Sequence, residues 1–287
     1  MKKIRIIAIL LLIATMVSFI SPVIVNAENS KVYTSLSSVC TEIRKGILER
    51  RNEVNTTAVD YYFTVYYKTK SYNEKTIYDD IRKEVYKHTG KANEGDALNS
   101  SLSQDGLSIS AKKQGKYYLL TITVYGDYYL TKDKVNQINK WVKDNALWIA
   151  TKKYKTGNSD YGKALGIYKW ITHNCKYGRT EIKGQWEPWN TAYGAKYKKG
   201  TCAGIAQLTY MMMTQSGLQC RMMRCINHAW VVVKISGKWY IVDPTLGLGK
   251  TSTKYFLIGT KNYSYYKNVM KDEYGGYLTV SKTNYKK

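Results

Sequence analysis

The chain reads as an α+β protein, and three observations carry that reading. Its first half alternates helix-like and strand-like segments. Its second half sets one almost wholly apolar helical stretch, Cys202 to Met213, ahead of several strand-like runs. Of its 287 residues 44% are hydrophobic, which suits a packed core and excludes general disorder.

Taken in order, residues 37–51 predict a helix with Ile43 and Leu48 inward. Residues 58–67, rich in aromatic and β-branched types, predict a strand, and 74–88 a second helix stopping near Gly90. Residues 115–130 give the clearest strand signal of this half. Thr131 is placed to cap a helix running to about residue 150, with Val135, Ile138, Trp141, Val142 and Leu147 at helical spacing. The polar stretch Lys152 to Ser159 marks a domain boundary. Ser159 then caps a helix with Leu165, Ile167, Trp170 and Ile171 inside. Residues 176–200 read as irregular. The stretch after Cys202 is apolar nearly all round, as a buried helix is, and ends at Gly217. Strands follow at 219–225, 229–235, 238–243 and 254–259.

Composition narrows the class. Three Pro exclude a proline-rich stalk, and five Cys are too few for a disulfide-dense scaffold. Only the extreme N-terminus is apolar enough for a bilayer, which excludes a polytopic membrane protein. That segment reads as a signal peptide over residues 1–27. Lys2, Lys3 and Arg5 form its basic start, 6–20 its apolar stretch, and Val25-Asn26-Ala27 a cleavage site. Left uncleaved, it is the chain's one membrane anchor. The organisation expected is therefore a leader at 1–27, an α+β domain at 28–151 and a second domain at 152–287, in a protein secreted or held at the cell surface. Net charge is +24 and uneven: +4 over 28–150, +17 over 151–287. The basic half favours polyanions; for an exported protein the candidates are an anionic cell-wall polymer, anionic lipid head groups or stray nucleic acid, with no specific nucleic-acid partner expected.

Three residues carry candidate chemistry. Cys202 lies between Gly200-Thr201 and Ala203-Gly204, where a loop meets the buried helix. The positive end of a helix dipole favours a thiolate, and small neighbours admit a substrate backbone. Such a nucleophile needs a base, and there are three His. His88 ends a helix elsewhere and His173 ends another with no evident partner. His228 opens two strand runs around Ser236-Gly237. A symmetric two-residue hairpin there pairs residues whose numbers sum to 473. His228 then faces Thr245, Trp230 faces Asp243, and His228 and Asp243 share a sheet face as diagonal neighbours. Of the six acids in residues 151–287, only Asp243 stands in a strand beside a His strand. A carboxylate there can orient an imidazole and steady the imidazolium.

The blocks Gly200-Thr201-Cys202-Ala203-Gly204, Asn227-His228-Ala229-Trp230 and Trp239-Tyr240 followed by Val242-Asp243-Pro244-Thr245 resemble, in order and spacing, the core of the transglutaminase-like superfamily. Residues 115–174 resemble the lead-in of its secreted bacterial members, while 28–114 match only loosely. The resemblance implies a papain-like core, with a Cys helix packed on an antiparallel sheet bearing His and Asp. It implies Cys202 as nucleophile, His228 as base and Asp243 as orienting group. The function implied is cysteine-dependent acyl transfer on protein or peptide amides, with a transglutaminase or a peptidase outcome left open. The Cys202 N–H is one oxyanion donor; Tyr193 is the candidate for the other, ahead of Trp186 and Trp189 on the same loop. No cofactor is expected, and no calcium-ligand cluster is evident. A zinc site from Cys202, Cys220, Cys225 and His228 fits no standard spacing. Cys40, Cys175, Cys220 and Cys225 leave their pairing open, although Cys220 and Cys225 in one strand cannot easily bridge each other. The alternative reading is a non-catalytic wall-binding module that keeps the fold.

Overall fold

The structure is a computed structural model and describes residues 31–52, 60–88, 95–179, 188–269 and 278–287. The expected leader and Trp186 lie outside them. Residues Tyr33–Lys287 form one compact unit with two antiparallel sheets.

The first sheet has three long strands, β1 (Asp60–Thr69), β2 (Leu102–Gln114) and β3 (Tyr117–Tyr128), with β3 in the middle. Alternation along β1 and β3 turns Tyr61, Phe63, Val65, Leu120, Ile122 and Val124 to one face. Helices α1 (Leu36–Glu49) and α2 (Glu74–Val85) cover that face with Val39, Ile43, Ile47, Ile81 and Val85. Both start on side-chain caps: Ser35 accepts from Ser38 N–H and Asn73 from Thr76 N–H. A short helix, α3 (Asp96–Ser101), leads into β2.

Helix α4 (Lys132–Trp148) runs through a π-turn, Ile149–Lys153, toward α5 (Asp160–Asn174), which Ser159 caps through Gly162 N–H. Ile138, Val142 and Ala146 of α4 belong to the core of the second half, together with α5. The short α6 (Ala192–Tyr197) precedes α7 (Cys202–Gln215), and α7 is buried on nearly every side. The second sheet follows in the order β4 (Cys220–Cys225), β5 (His228–Ile235), β6 (Lys238–Val242), β7 (Phe256–Ile258). Both its faces are covered. Val231, Val233, Tyr240 and Val242 pack with α7; Trp230, Val232 and Ile241 pack under Tyr263, Val269 and Val280 from the C-terminal segment.

The β5–β6 ladder runs from Ile235↔Lys238 to Val231↔Val242, every pair summing to 473 as expected. Ser236 and Gly237 take φ 48° and 79°, the left-handed turn that matches strand twist. The ladder stops there. Asp243 N–H turns to Tyr255 C=O, and Asp243 caps a four-residue helix, α8 (Pro244–Gly247), so the expected His228–Thr245 pair does not form.

Other expectations need correction. Leu48 is 46% exposed and Leu147 54% exposed, because the buried stripes of α1 and α4 pass through Ile43/Ile47 and Val142/Ala146 instead. The strand β2 was not evident in the sequence: a single neighbour and a mostly solvent-facing run leave it little apolar signal. Residues 192–197, read as irregular, are helical and capped by Thr191. Thr131 stands at the N-cap of α4 but makes no side-chain cap bond.

Candidate active site

Cys202 is the first residue of α7, half-buried, with its thiol beside the start of β5. The approach is set by packing. Thr201 N–H donates to Trp189 C=O at 2.8 Å. A Cβ at Gly204 would stand 2.5 Å from Trp189 O and 2.6 Å from Thr191 O, so only glycine lets the preceding segment lie this close to the helix. Gln207, one turn further on, accepts from Ala192 N–H at 2.6 Å. Lys196 holds α6 in place from a cage of rings, 4.6 Å from the Trp141 centroid and 4.7 Å from that of Tyr197.

His228 is the first residue of β5 and 7% exposed; Asp243, just past β6, is fully buried. His228 Nε2 donates to Asp243 Oδ2 at 2.7 Å. That leaves Nδ1 for the Cys202 thiol, with which His228 is also hydrogen bonded. Burial pushes the Cys202 thiol up, but the His228 bond and charge, with backbone bonds from Ala229 and Ala203, outweigh it and hold the thiol below its ordinary value. Burial likewise pulls the imidazolium down, and Asp243 and Cys202 reverse this to about 9. The two directions agree: each group favours the charged form of the other.

The structure therefore brings Cys202, His228 and Asp243 together. His173 lies elsewhere, on the α5 end, with Nδ1 against Lys169 C=O at 2.6 Å. Tyr193 lies on α6 with its hydroxyl directed to Gln137, 3.5 Å away, and its ring on Tyr197. Two residues that sequence reasoning did not single out complete the site. Tyr263 O–H donates to Asp243 Oδ2 at 2.7 Å, and the Tyr265 ring lies 4.3 Å from the His228 ring. With 28 Tyr in the chain, no local pattern distinguishes these two. None of the five Cys is in a disulfide; burial pushes the Cys40 and Cys175 thiols up to about 12. Among the described residues no group of three His, Cys, Asp or Glu is placed to hold a metal ion.

The family model for the transglutaminase-like superfamily matches residues 149–244, the span that holds all three groups. This segment is similar to a transglutaminase-like core. The α+β chain carries a Cys helix packed on an antiparallel sheet that bears His228, with Asp243 just past the end of β6. No curated protein is significantly similar to the chain. Among solved structures, a transglutaminase (TGase) is 10% identical at TM-score 0.32, covering 80% of this chain and 64% of its own. A candidate cysteine protease from Cytophaga hutchinsonii is 16% identical at TM-score 0.29, covering 51% and 66%. A candidate protease from Parabacteroides distasonis is 12% identical at TM-score 0.28, covering 67% and 41%. The chain thus spans less than two thirds of the length of each. The transglutaminase-like core has the layout of cysteine-dependent catalysis.

Proposed function

We propose that the protein is an exported enzyme of cysteine-dependent acyl transfer acting on protein or peptide amides. The observation that carries this is the buried 2.7 Å His228–Asp243 bond beside a half-buried Cys202 whose thiol is depressed. In this reading the Cys202 thiolate attacks the amide carbonyl carbon, and the C–N bond breaks as His228 gives its proton to the departing amine. The thioester is then taken by an amine or by water, whose proton returns to His228 while the C–S bond breaks. Asp243 keeps the imidazole oriented throughout. The Cys202 N–H is one oxyanion donor, and Tyr193 is proposed as the second, exchanging Gln137 for the substrate oxygen. The +17 charge of residues 151–287 supports a role for an anionic cell-wall polymer in holding the enzyme near its substrate.

Amine incorporation into casein-type acceptor proteins and release of peptide fragments, each with wild type and Cys202→Ala, test the reading and separate its two outcomes. Signal lost with Cys202→Ala supports it. Equal signal with and without Cys202 overturns it.

A further inference from the structure

Asp243 Oδ2 accepts two hydrogen bonds of equal length, from His228 Nε2 and from the Tyr263 hydroxyl, both 2.7 Å. Oδ1 is taken by Leu246 N–H at 3.2 Å. The carboxylate is thus held at both oxygens, and its only side-chain donor among the described residues besides His228 is Tyr263, beyond the 149–244 core.

Tyr263 is itself firmly held. It is 3% exposed, with its ring 5.1 Å from Trp230 at 69° and 5.7 Å from Tyr265. The segment carrying it is tied to the C-terminal tail: Gly259 N–H and Asn262 Nδ2 both donate to Asn284 Oδ1 at 2.9 Å, and Thr260 N–H to Ser281 C=O at 2.9 Å. A phenol in so apolar a place needs a partner for its hydroxyl. Phenylalanine would fill the same space without that need. The hydroxyl is spent on the one oxygen that also orients the base.

We propose that Tyr263 is a positioning residue of this site: its hydroxyl holds Asp243 Oδ2 on His228 and limits how strongly that oxygen draws the His228 proton. The inference rests on the reading of Cys202 and His228 as nucleophile and base. Among the described residues, titratable groups near the pair come from several neighbouring elements. They are Cys202 of α7, Asp243, Tyr168 of α5, Cys225 of β4, and Tyr263 and Tyr265 of the C-terminal segment. Among the described residues only Tyr263 and His228 share Oδ2. Removing the hydroxyl leaves the charge on Oδ2 less compensated, so the imidazolium is stabilised and gives up its proton at higher pH.

The test is the rate of Cys202 alkylation by iodoacetamide in the full chain between about pH 4 and 10, read by peptide mass spectrometry, which needs no known substrate. In wild type the upper limb, a second inflection because the thiolate outlasts the imidazolium, should lie near pH 9, where His228 deprotonates. Tyr263→Phe should move that limb up by about half a unit or more, roughly a threefold change in proton affinity. In an Asp243→Asn background the same substitution should move it by much less. A Tyr263→Phe profile that overlays the wild type, shifts down, or shifts equally without the carboxylate overturns the proposal. If Tyr263→Phe does not fold, 3-fluorotyrosine placed at 263, a stronger donor, should shift the limb down; no shift overturns the proposal equally. His228→Ala runs alongside. If it alters the profile while Tyr263→Phe does not, this inference fails and the nucleophile–base reading stands. If neither matters, that reading fails as well.

Discussion

In the first sheet Asp105 Oδ2 accepts from the Tyr86 hydroxyl at 2.7 Å and from Arg82 at 2.6 Å. In the second sheet Asp243 Oδ2 accepts from the Tyr263 hydroxyl and from His228, each at 2.7 Å. The same polar device, a carboxylate under a phenol and a cation, is built twice in one chain. What differs is the cation. Burial pulls Arg82 down, but Asp105 more than restores it, and its guanidinium stays charged at any pH the fold meets. That cluster ties the end of α2 to β2. His228 can lose its proton within the working range, and its second ring nitrogen meets a thiol. In the proposed function, chemistry enters where a fixed cation is replaced by a titratable one with a thiol on its far side.

Substitutions can break this contrast, and the largest effect belongs to the nucleophile. Cys202→Ala should abolish acyl transfer, a loss of about a thousandfold or more, with the melting temperature near wild type because alanine suits a helix start. Acyl-transfer assays and a thermal melt check both. Next comes the matched pair of carboxylates. Asp243→Asn should lower activity by about 10³–10⁴ through the lost orientation of His228. Asp105→Asn should leave activity intact and cost about 2 kcal/mol of stability, since Arg82 and Asp105 are partly solvent-screened. If the two variants behave alike, the distinction between lock and catalyst is wrong. An intermediate effect is expected from one residue inserted after Gly237. It slips β6 by one place, and Asp243 leaves the His228 face. Activity should drop about a hundredfold, judged against a modest change in denaturation midpoint. The smallest effect is that of Gly204→Ala, which drives the Trp189–Thr191 backbone off α7. A cost of about 1–3 kcal/mol is expected by chemical denaturation, with a smaller loss of Cys202 labelling.

The legibility of the site in sequence depends on how local its determinants are. Cys202 announced itself by small neighbours at the head of an apolar run, and α7 begins at that residue. His228 and Asp243 were linked by parity, by the scarcity of other acids and by the family resemblance, and the 473 register holds through Val231↔Val242. Parity did not reveal that Asp243 leaves the ladder to cap α8, because a proline after a strand marks the strand's end but does not specify the next element. Leu48 and Leu147 were misplaced because a helix of mixed composition supports two plausible stripes, and only the packed partners decide between them. Strand β2 was missed because it carries Ser, Lys and Gln on its exposed face. Tyr263 and Tyr265 reach the site by tertiary contact from twenty residues past Asp243, a distance over which no periodicity speaks.

The most direct measurement is the pH dependence of Cys202 alkylation in wild type and in His228→Ala. The thiol is depressed and the imidazolium raised, so the thiolate should be present well below the pH of about 8.5 at which a free thiol ionises, and persist as an ion pair until pH passes about 9. Cys40 and Cys175, pushed up to about 12, should stay unmodified under the same conditions. His228→Ala should remove the early reactivity of Cys202. An ordinary thiol profile for Cys202, identical with and without His228, would contradict a nucleophile assembled by this histidine.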